Sequence, residues 1–139
     1  MYDMLRTYAL NLNILRNICH KMAVEKGWWD DVVSTIQLEA GAISDITLED
    51  SEVDQLVSIK KGSSIALMHS ELSECLEAIR KDLPSDHLHG RSMEEEELAD
   101  VIIRIMDYCG RYDIDIGEVM MEKIAYNAER SRRHGGKKL

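Results

Sequence analysis

The chain has 139 residues and a formal net charge of −9, with 45% hydrophobic and 31% charged residues. This length and composition predict one globular domain that covers residues 1–139. The negative charge argues against a nucleic-acid partner, and no apolar run approaches the roughly 18 residues that would cross a membrane. Because the three cysteines are scattered and the N-terminus lacks a secretory-type apolar stretch, we expect a cytoplasmic protein without a disulfide framework.

Helices are the predicted elements, because the chain has no phenylalanine and a single proline. The first helix is predicted over about residues 3–26, and Gly27 can adopt the left-handed conformation of a helix C-cap. Residues 32–61 are expected to be irregular or to form short helices, because polar residues interrupt the apolar pattern. Apolar side chains recur at about 100° per residue over residues 63–83 and predict a long helix, which Pro84 ends.

Two more helices are predicted in the last third of the chain. Ser92 begins the first of them, with Glu95 three residues later as its partner in a capping box, and this helix ends near residues 110–112. The last helix runs over about residues 116–130, and a basic tail, residues 131–139, follows. No segment has the pattern of a strand. The fold class is therefore predicted to be all-α, a bundle of four to five helices.

Two pairs of acidic residues stand out on consecutive predicted helices. Glu71 and Glu74 are three residues apart on one helix, and Glu97 and Asp100 have the same spacing on the next. Residues at this spacing are neighbours on a helix surface, so an antiparallel packing of the two helices would bring four carboxylates together. Such a group repels itself unless a cation neutralises it, and oxygen ligands favour Mg²⁺ or Mn²⁺.

Two other interpretations of these acids remain open at this point. Acidic residues at this spacing often form a solvated helix face, and the acidic run at residues 94–97 also lies where a helix dipole favours negative charge. A di-iron bundle would need a Glu-x-x-His pair on each of two helices. No histidine follows a glutamate at that spacing, so the di-iron interpretation is disfavoured.

Three segments of the chain resemble the motifs of the MazG-like nucleoside triphosphate pyrophosphohydrolases. Residues 67–78 resemble the first acidic motif, residues 96–104 the Glu-x-x-Asp motif, and residues 122–130 with 133–138 the C-terminal phosphate-binding stretch. Together they cover roughly residues 63 to 138. The resemblance implies an all-α enzyme that hydrolyses a nucleoside or deoxynucleoside triphosphate to the monophosphate and pyrophosphate.

The resemblance also implies roles for individual residues. Glu71, Glu74, Glu97 and Asp100 would bind Mg²⁺, with Mn²⁺ as a substitute, and Glu71 or Glu74 would accept the proton of the attacking water, with Glu71 favoured. Phosphate oxygens would be bound by residues of the last motif: Lys123, Tyr126, Asn127, Arg130 and Lys137. The spacing of three of these side chains places them near one face of the last helix. Alternatively, the basic ones pair with surface acids.

Adjacent tryptophans, Trp28 and Trp29, follow the first helix and are candidates for the base pocket. An indole ring can stack on any nucleobase. In the family, a residue near this position of the chain often lines the base pocket. The alternative is that one of the two rings plugs the end of the bundle.

Members of this family of similar size assemble as dimers or tetramers, so the resemblance implies a homo-oligomer whose site can borrow residues from a neighbouring chain. The segment of residues 32–61 is longer than the corresponding segment expected in the family, and it is interpreted as an atypical insertion or interface segment. The predicted role is cleaning a nucleotide pool or supplying a precursor. A dUTPase-like specificity and a non-catalytic helical interaction module are the alternatives.

Overall fold

The computed structural model describes residues 2–30 and 49–130. These residues form four α-helices and no β-strand: α1 (Tyr2–Glu25), α2 (Asp50–Lys81), α3 (Met93–Arg111) and α4 (Ile116–Glu129). The all-α prediction is therefore confirmed for this part of the chain. The basic tail and residues 31–48, which include much of the expected insertion, lie outside the described residues, and so does Lys137.

The helix ends form where the sequence predicts them in three of the four helices. After α1, Gly27 has a φ of 76°, the left-handed conformation expected of it. At the start of α3, the Ser92 hydroxyl accepts a hydrogen bond from the Glu95 amide, while the Glu95 carboxylate accepts one from the Ser92 amide. Asp115 caps α4 in a similar way, because its carboxylate accepts from the Glu118 amide at 2.9 Å.

The start of α2 was predicted wrongly. The helix begins at Asp50, well before the expected start at residue 63. Its first turn is stabilised by the Glu52 carboxylate, which accepts a hydrogen bond from the Glu49 amide at 2.9 Å. Val53, Leu56 and Val57 continue the helical apolar spacing, and these side chains are half-buried. The polar residues around them therefore mark a solvated helix face instead of a break.

The helices pack in the order α2, α3, α1, α4. The extensive contacts are those of α2 with α3, of α1 with α3, and of α1 with α4. Asn13 of α1 joins the last pair, because its side chain donates to the Asp115 carboxylate at 2.7 Å and accepts from the Gly117 amide at 3.0 Å. Gly117 lies so close to α1 that a Cβ there would collide with the Ala9 carbonyl. The α1–α4 crossing is thus a close backbone contact.

The buried core is small and consists mainly of sulfur-containing and small side chains. It comprises Cys19, Trp29, Met68, Cys75, Ala78, Val101, Met106 and Cys109. The three cysteines are free thiols. Many large apolar side chains remain exposed instead, among them Leu72, Leu76 and Ile79 on α2 and Ile102 and Ile103 on α3. None of the helices formed by residues 2–30 and 49–130 combines the length and the apolarity needed to cross a membrane.

Candidate metal centre

Three of the four predicted carboxylates lie together between α2 and α3. Glu71 comes from α2, and Glu97 and Asp100 come from the first half of α3; one oxygen from each lies within 4.8 Å of the others. Farther along α2, Cys75 contacts the carbonyl oxygen of Glu94, which precedes Glu97 on α3. The two helices therefore run antiparallel, which places the acidic motifs side by side. We refer to Glu71, Glu97 and Asp100 as the acid cluster. Glu71 and Glu97 are only 7% and 8% exposed, so this is no solvated helix face.

Glu97 has a buried carboxylate oxygen without a partner among the described residues. Its Oε2 atom is buried and has no hydrogen-bond partner. Burial raises the pKa of Glu97 to about 7, and the effect is reinforced by Glu71 and by the negative charges of Glu74 and Asp100. Two carboxyl groups as close as those of Glu71 and Glu97 can form a hydrogen bond only when one of them carries a proton. When both are ionised, the Glu97 oxygen needs another positive partner.

The remaining acids differ in exposure. Asp100 is half-buried, and burial, followed by the charge of Glu71, raises its pKa above the ordinary value. Glu74 is exposed and is not a member of the acid cluster, although its charge contributes to the raised pKa of Glu97. The structure therefore brings three predicted metal ligands together and leaves the fourth beside them, facing solvent.

Oxygen donors and a surplus of negative charge make the acid cluster suitable for a hard divalent cation. Each member offers a carboxylate oxygen, the ligand type that Mg²⁺ and Mn²⁺ prefer. The unpartnered Oε2 atom of Glu97 is a buried acceptor that a cation would satisfy. The residues present fit such an ion.

Arg104 is a further residue of the candidate site, to which the sequence analysis assigned no role. Its Nε and Nη2 atoms both lie 2.5 Å from Oε1 of Glu71, and its side chain is mostly buried. On α3 it follows Asp100 by four residues and Glu97 by seven, so it shares their helix face. This spacing is the feature of the sequence that could have indicated that Arg104 lies beside the two acids. Its positive charge opposes the rise in the pKa of Asp100.

The two tryptophans have different surroundings. Trp29 is buried, and its Nε1 atom donates to Oδ1 of Asp107 at 2.9 Å, an oxygen that also forms a 2.8 Å hydrogen bond with His20. Trp28 is 59% exposed, and its ring lies 5.4 Å from the guanidinium carbon of Arg104. Trp29 therefore fastens the end of α1 to α3, while Trp28 presents an exposed ring close to the acid cluster.

A cleft of about 80 Å³ lies next to these rings. The lining residues come from the end of α1, from α2 and from α3: Trp28, Trp29, Lys60, Ser64, Leu67, Met68, Arg104, Asp107 and Tyr108. Pockets that enclose a whole small molecule measure roughly 300–1,000 Å³. The cleft by itself is therefore too small to enclose a nucleotide.

The predicted phosphate-binding residues lie on α4. Lys123, Tyr126, Asn127 and Arg130 are all exposed, and both cations lie over the Tyr126 ring, at 4.6 Å for Lys123 and 5.6 Å for Arg130. Within the described residues, α4 packs extensively on α1 alone. The cations therefore form one group, as their spacing predicted, but the packing of this chain does not place α4 on the helices that carry the acid cluster.

Comparisons with protein-family models, with curated proteins and with solved structures gave no match for this chain.

Proposed function

We propose that this protein is a metal-dependent nucleoside triphosphate pyrophosphohydrolase. It cleaves a nucleoside or deoxynucleoside triphosphate between the α- and β-phosphates, releasing the monophosphate and pyrophosphate. The observation that carries the proposal is the acid cluster, with its unpartnered, buried Glu97 oxygen. The resemblance of residues 67–78, 96–104 and 122–130 to the MazG-like motifs supplies the reaction. The proposed role of the enzyme is to clean a nucleotide pool or to supply a monophosphate precursor.

The chain's own residues divide the work of the proposed reaction. Glu71, Glu97 and Asp100 hold Mg²⁺ or Mn²⁺ through carboxylate oxygens. A bound divalent ion lowers the pKa of coordinated water and neutralises charge on the phosphates. Glu74 accepts the proton of the attacking water instead of Glu71, the residue favoured from the sequence, because Glu74 is exposed beside the acid cluster whereas Glu71 is buried and is assigned to the metal. The exposed Trp28 ring stacks on the base or sugar.

The proposed enzyme is a homo-oligomer, a dimer or a tetramer. Two observations support this assembly: apolar side chains are exposed along α2 and α3, and the cations of α4 are not packed on the acid cluster within the chain. A second copy would cover the apolar faces, enlarge the cleft and supply Lys123 and Arg130 to the triphosphate.

A pyrophosphate-release assay tests the proposal. Each canonical NTP and dNTP, together with dUTP, is incubated with the protein in Mg²⁺, in Mn²⁺ or in EDTA. We expect metal-dependent pyrophosphate release with one nucleotide favoured; a preference for dUTP would identify the dUTPase-like variant. Asp100→Asn should abolish release, whereas Glu94→Gln, which alters an exposed acid at the start of α3, should not. Full activity of Asp100→Asn would refute the proposed site.

The exposed apolar faces also favour a second candidate, a non-catalytic helical interaction module. In that case the acids have no ligand, and Mg²⁺ or Mn²⁺ leaves the melting temperature unchanged. A metal that binds only the folded chain raises the melting temperature, so calorimetry with and without the ion distinguishes the two candidates.

A further inference from the structure

We propose that Arg104 competes with the divalent cation for the carboxylate of Glu71. In the metal-free protein its guanidinium group holds the Glu71 carboxylate, and it must release that carboxylate for a cation to bind. This inference rests on the proposed metal site and adds to it a residue that sets the metal affinity.

The contacts of Glu71 support competition. Two of the three guanidinium nitrogen atoms of Arg104, Nε and Nη2, lie 2.5 Å from the same oxygen, Oε1, so they occupy the lone pairs that a metal ion would use on that atom. The Glu71 side chain is only 9% exposed, so little water is available to compensate if the guanidinium leaves without a replacement. A divalent ion is such a replacement.

The charges of the acid cluster and of Arg104 also support competition. Glu71, Glu97 and Asp100 carry up to three negative charges, and Arg104 supplies a positive charge next to them. A guanidinium group and a divalent cation at adjacent positions repel each other strongly in a partly buried site. The arginine is therefore expected to move away from Glu71 when the cation binds.

Trp28 makes this movement observable. The Arg104 guanidinium carbon lies 5.4 Å from the centre of the Trp28 ring, so the arginine contacts the acid cluster on one side and the aromatic ring on the other. Release of Glu71 would change the position of the charge over the ring. Metal binding should then alter the fluorescence of Trp28, whereas Trp29 is fixed by Asp107.

The test is isothermal titration of the full chain with Mn²⁺ alone, which does not depend on activity. Arg104→Gln is compared with wild type and with Arg80→Gln, which removes the same charge from an exposed pair with Glu77 on the far part of α2. Competition predicts that Arg104→Gln lowers the dissociation constant about tenfold or more, whereas Arg80→Gln stays within about twofold of wild type.

Whether the Mn²⁺ dissociation constant falls or rises in Arg104→Gln shows whether Arg104 competes with the metal or supports its binding. If Arg104 held Glu71 in place for the metal, its removal would weaken Mn²⁺ binding, as loss of an outer-shell partner does. Weaker or unchanged binding in Arg104→Gln therefore overturns the inference. If Arg104→Gln does not fold, Arg104→Lys decides: the single ammonium group holds Glu71 less firmly, so binding should tighten about threefold, and no tightening overturns the inference.

Two readouts separate this inference from the proposed function. If wild-type protein binds no Mn²⁺, the metal site itself is refuted. If wild type binds Mn²⁺ and Arg104→Gln does not bind it more tightly, only the role of Arg104 is refuted. Mn²⁺ should also change the tryptophan emission of wild type, and this change should disappear in Trp28→Phe and in Arg104→Gln.

Discussion

At the scale of single residues, Glu97 is the acid whose surroundings conflict most with its charge. A buried carboxylate without a hydrogen-bond partner is costly unless it is protonated or bound to a cation. Its pKa of about 7 reflects that cost and places the change of charge near neutral pH. Groups with shifts of this kind are concentrated at functional sites, although structural networks also produce them.

The raised pKa of Glu97 predicts a pH-dependent stability. Between pH 4.5 and about 7 the folded state holds a proton that the unfolded state has released, so the free energy of unfolding falls as pH rises through this window. Protons compete with the cation, so Mn²⁺ should bind more tightly as pH rises through about 7. The measurement is the melting temperature in EDTA and in Mn²⁺ from about pH 5 to about pH 8.

Glu97→Gln is the reference variant for this experiment. Other carboxylates, such as Asp115, have a lowered pKa and contribute a stability trend of the opposite sign. The difference between wild type and Glu97→Gln isolates the contribution of Glu97. A difference that stays constant with pH in EDTA would contradict the prediction.

The two glutamates of the first motif should separate metal binding from proton transfer. Glu71→Gln removes a member of the acid cluster and should abolish both Mn²⁺ binding and activity. Glu74→Gln leaves the acid cluster intact, so it should bind Mn²⁺ within severalfold of wild type while losing about 10²–10⁴-fold in kcat. Titration calorimetry and the pyrophosphate assay check the pair. High kcat in Glu74→Gln would return the role of general base to Glu71.

The adjacent tryptophans should behave differently when substituted. Trp29→Phe removes the donor to Asp107 from a buried site and should destabilise the protein by about 1–3 kcal/mol. Trp28→Phe alters an exposed ring and should change stability by less than about 0.5 kcal/mol. If Trp28 stacks on the nucleotide, Trp28→Ala should raise KM more than it lowers kcat. Urea denaturation and initial-rate kinetics measure these effects.

At the scale of the helices, replacing glycine by alanine is expected to change stability in opposite directions at two positions. Gly117→Ala places a methyl group against the Ala9 carbonyl, so α4 must move away from α1 at a cost of about 1–3 kcal/mol. Gly62 lies within α2, and a methyl group added there would have no neighbouring atom within 4 Å, so Gly62→Ala should stabilise the helix by about 0.5–1 kcal/mol. Urea denaturation of both variants measures the difference. Equal stability of the two would contradict the close α1–α4 crossing.

The helices also show how the acid cluster is assembled. The turn between α2 and α3 is held by the Ser85 hydroxyl, which donates to the Glu96 carboxylate at 2.5 Å and accepts from the Leu88 amide at 2.7 Å. His87 forms a further 2.6 Å hydrogen bond with Glu96, and this bond raises the pKa of His87 above its ordinary value. These contacts fix the register in which Glu71 faces the beginning of α3.

At the scale of the whole molecule, the acid cluster and the cations of the proposed site lie on helices that do not pack extensively on one another in the part of the chain that the structure describes. The acid cluster lies between α2 and α3, whereas the cations of α4 lie beyond α1. If a second copy supplies those cations, two inactive variants should restore activity when mixed. Glu71→Gln and Lys123→Ala are expected to be inactive alone, and a mixed dimer would hold one intact site.

Statistical mixing of the two variants in a dimer should restore about a quarter of wild-type activity, because half of the dimers are hybrids with one intact site of two. The variants are unfolded and refolded together, and size-exclusion chromatography with light scattering gives the assembly size. Mixing Glu71→Gln with Asp100→Asn is the control, since both residues belong to the same acid cluster and no hybrid site is intact. Lack of recovery in the first mixture would refute the shared site.

The sequence alone determined most of the local features of this protein. Helix class, the Gly27 cap and the Ser92 capping box follow from interactions within a few residues, which a pattern records directly. The pairing of acidic residues on two helices also predicted that Glu71, Glu97 and Asp100 lie together, because the spacing of each pair defines a helix face, but Glu74 does not join them. The early start of α2 was not predicted, since solvated polar residues and a break look alike when partners are unknown.

Only the tertiary structure decided the features that depend on residues far apart in the chain. Trp28 and Trp29 are chemically identical in the sequence, and the position of Asp107 on α3 determines which of them is buried. The burial of Glu97 and the pairing of Arg104 with Glu71 likewise arise from the packing of α2 on α3. Burial and charge compensation depend on which side chains pack around a residue, and the order of residues in the sequence does not specify those neighbours.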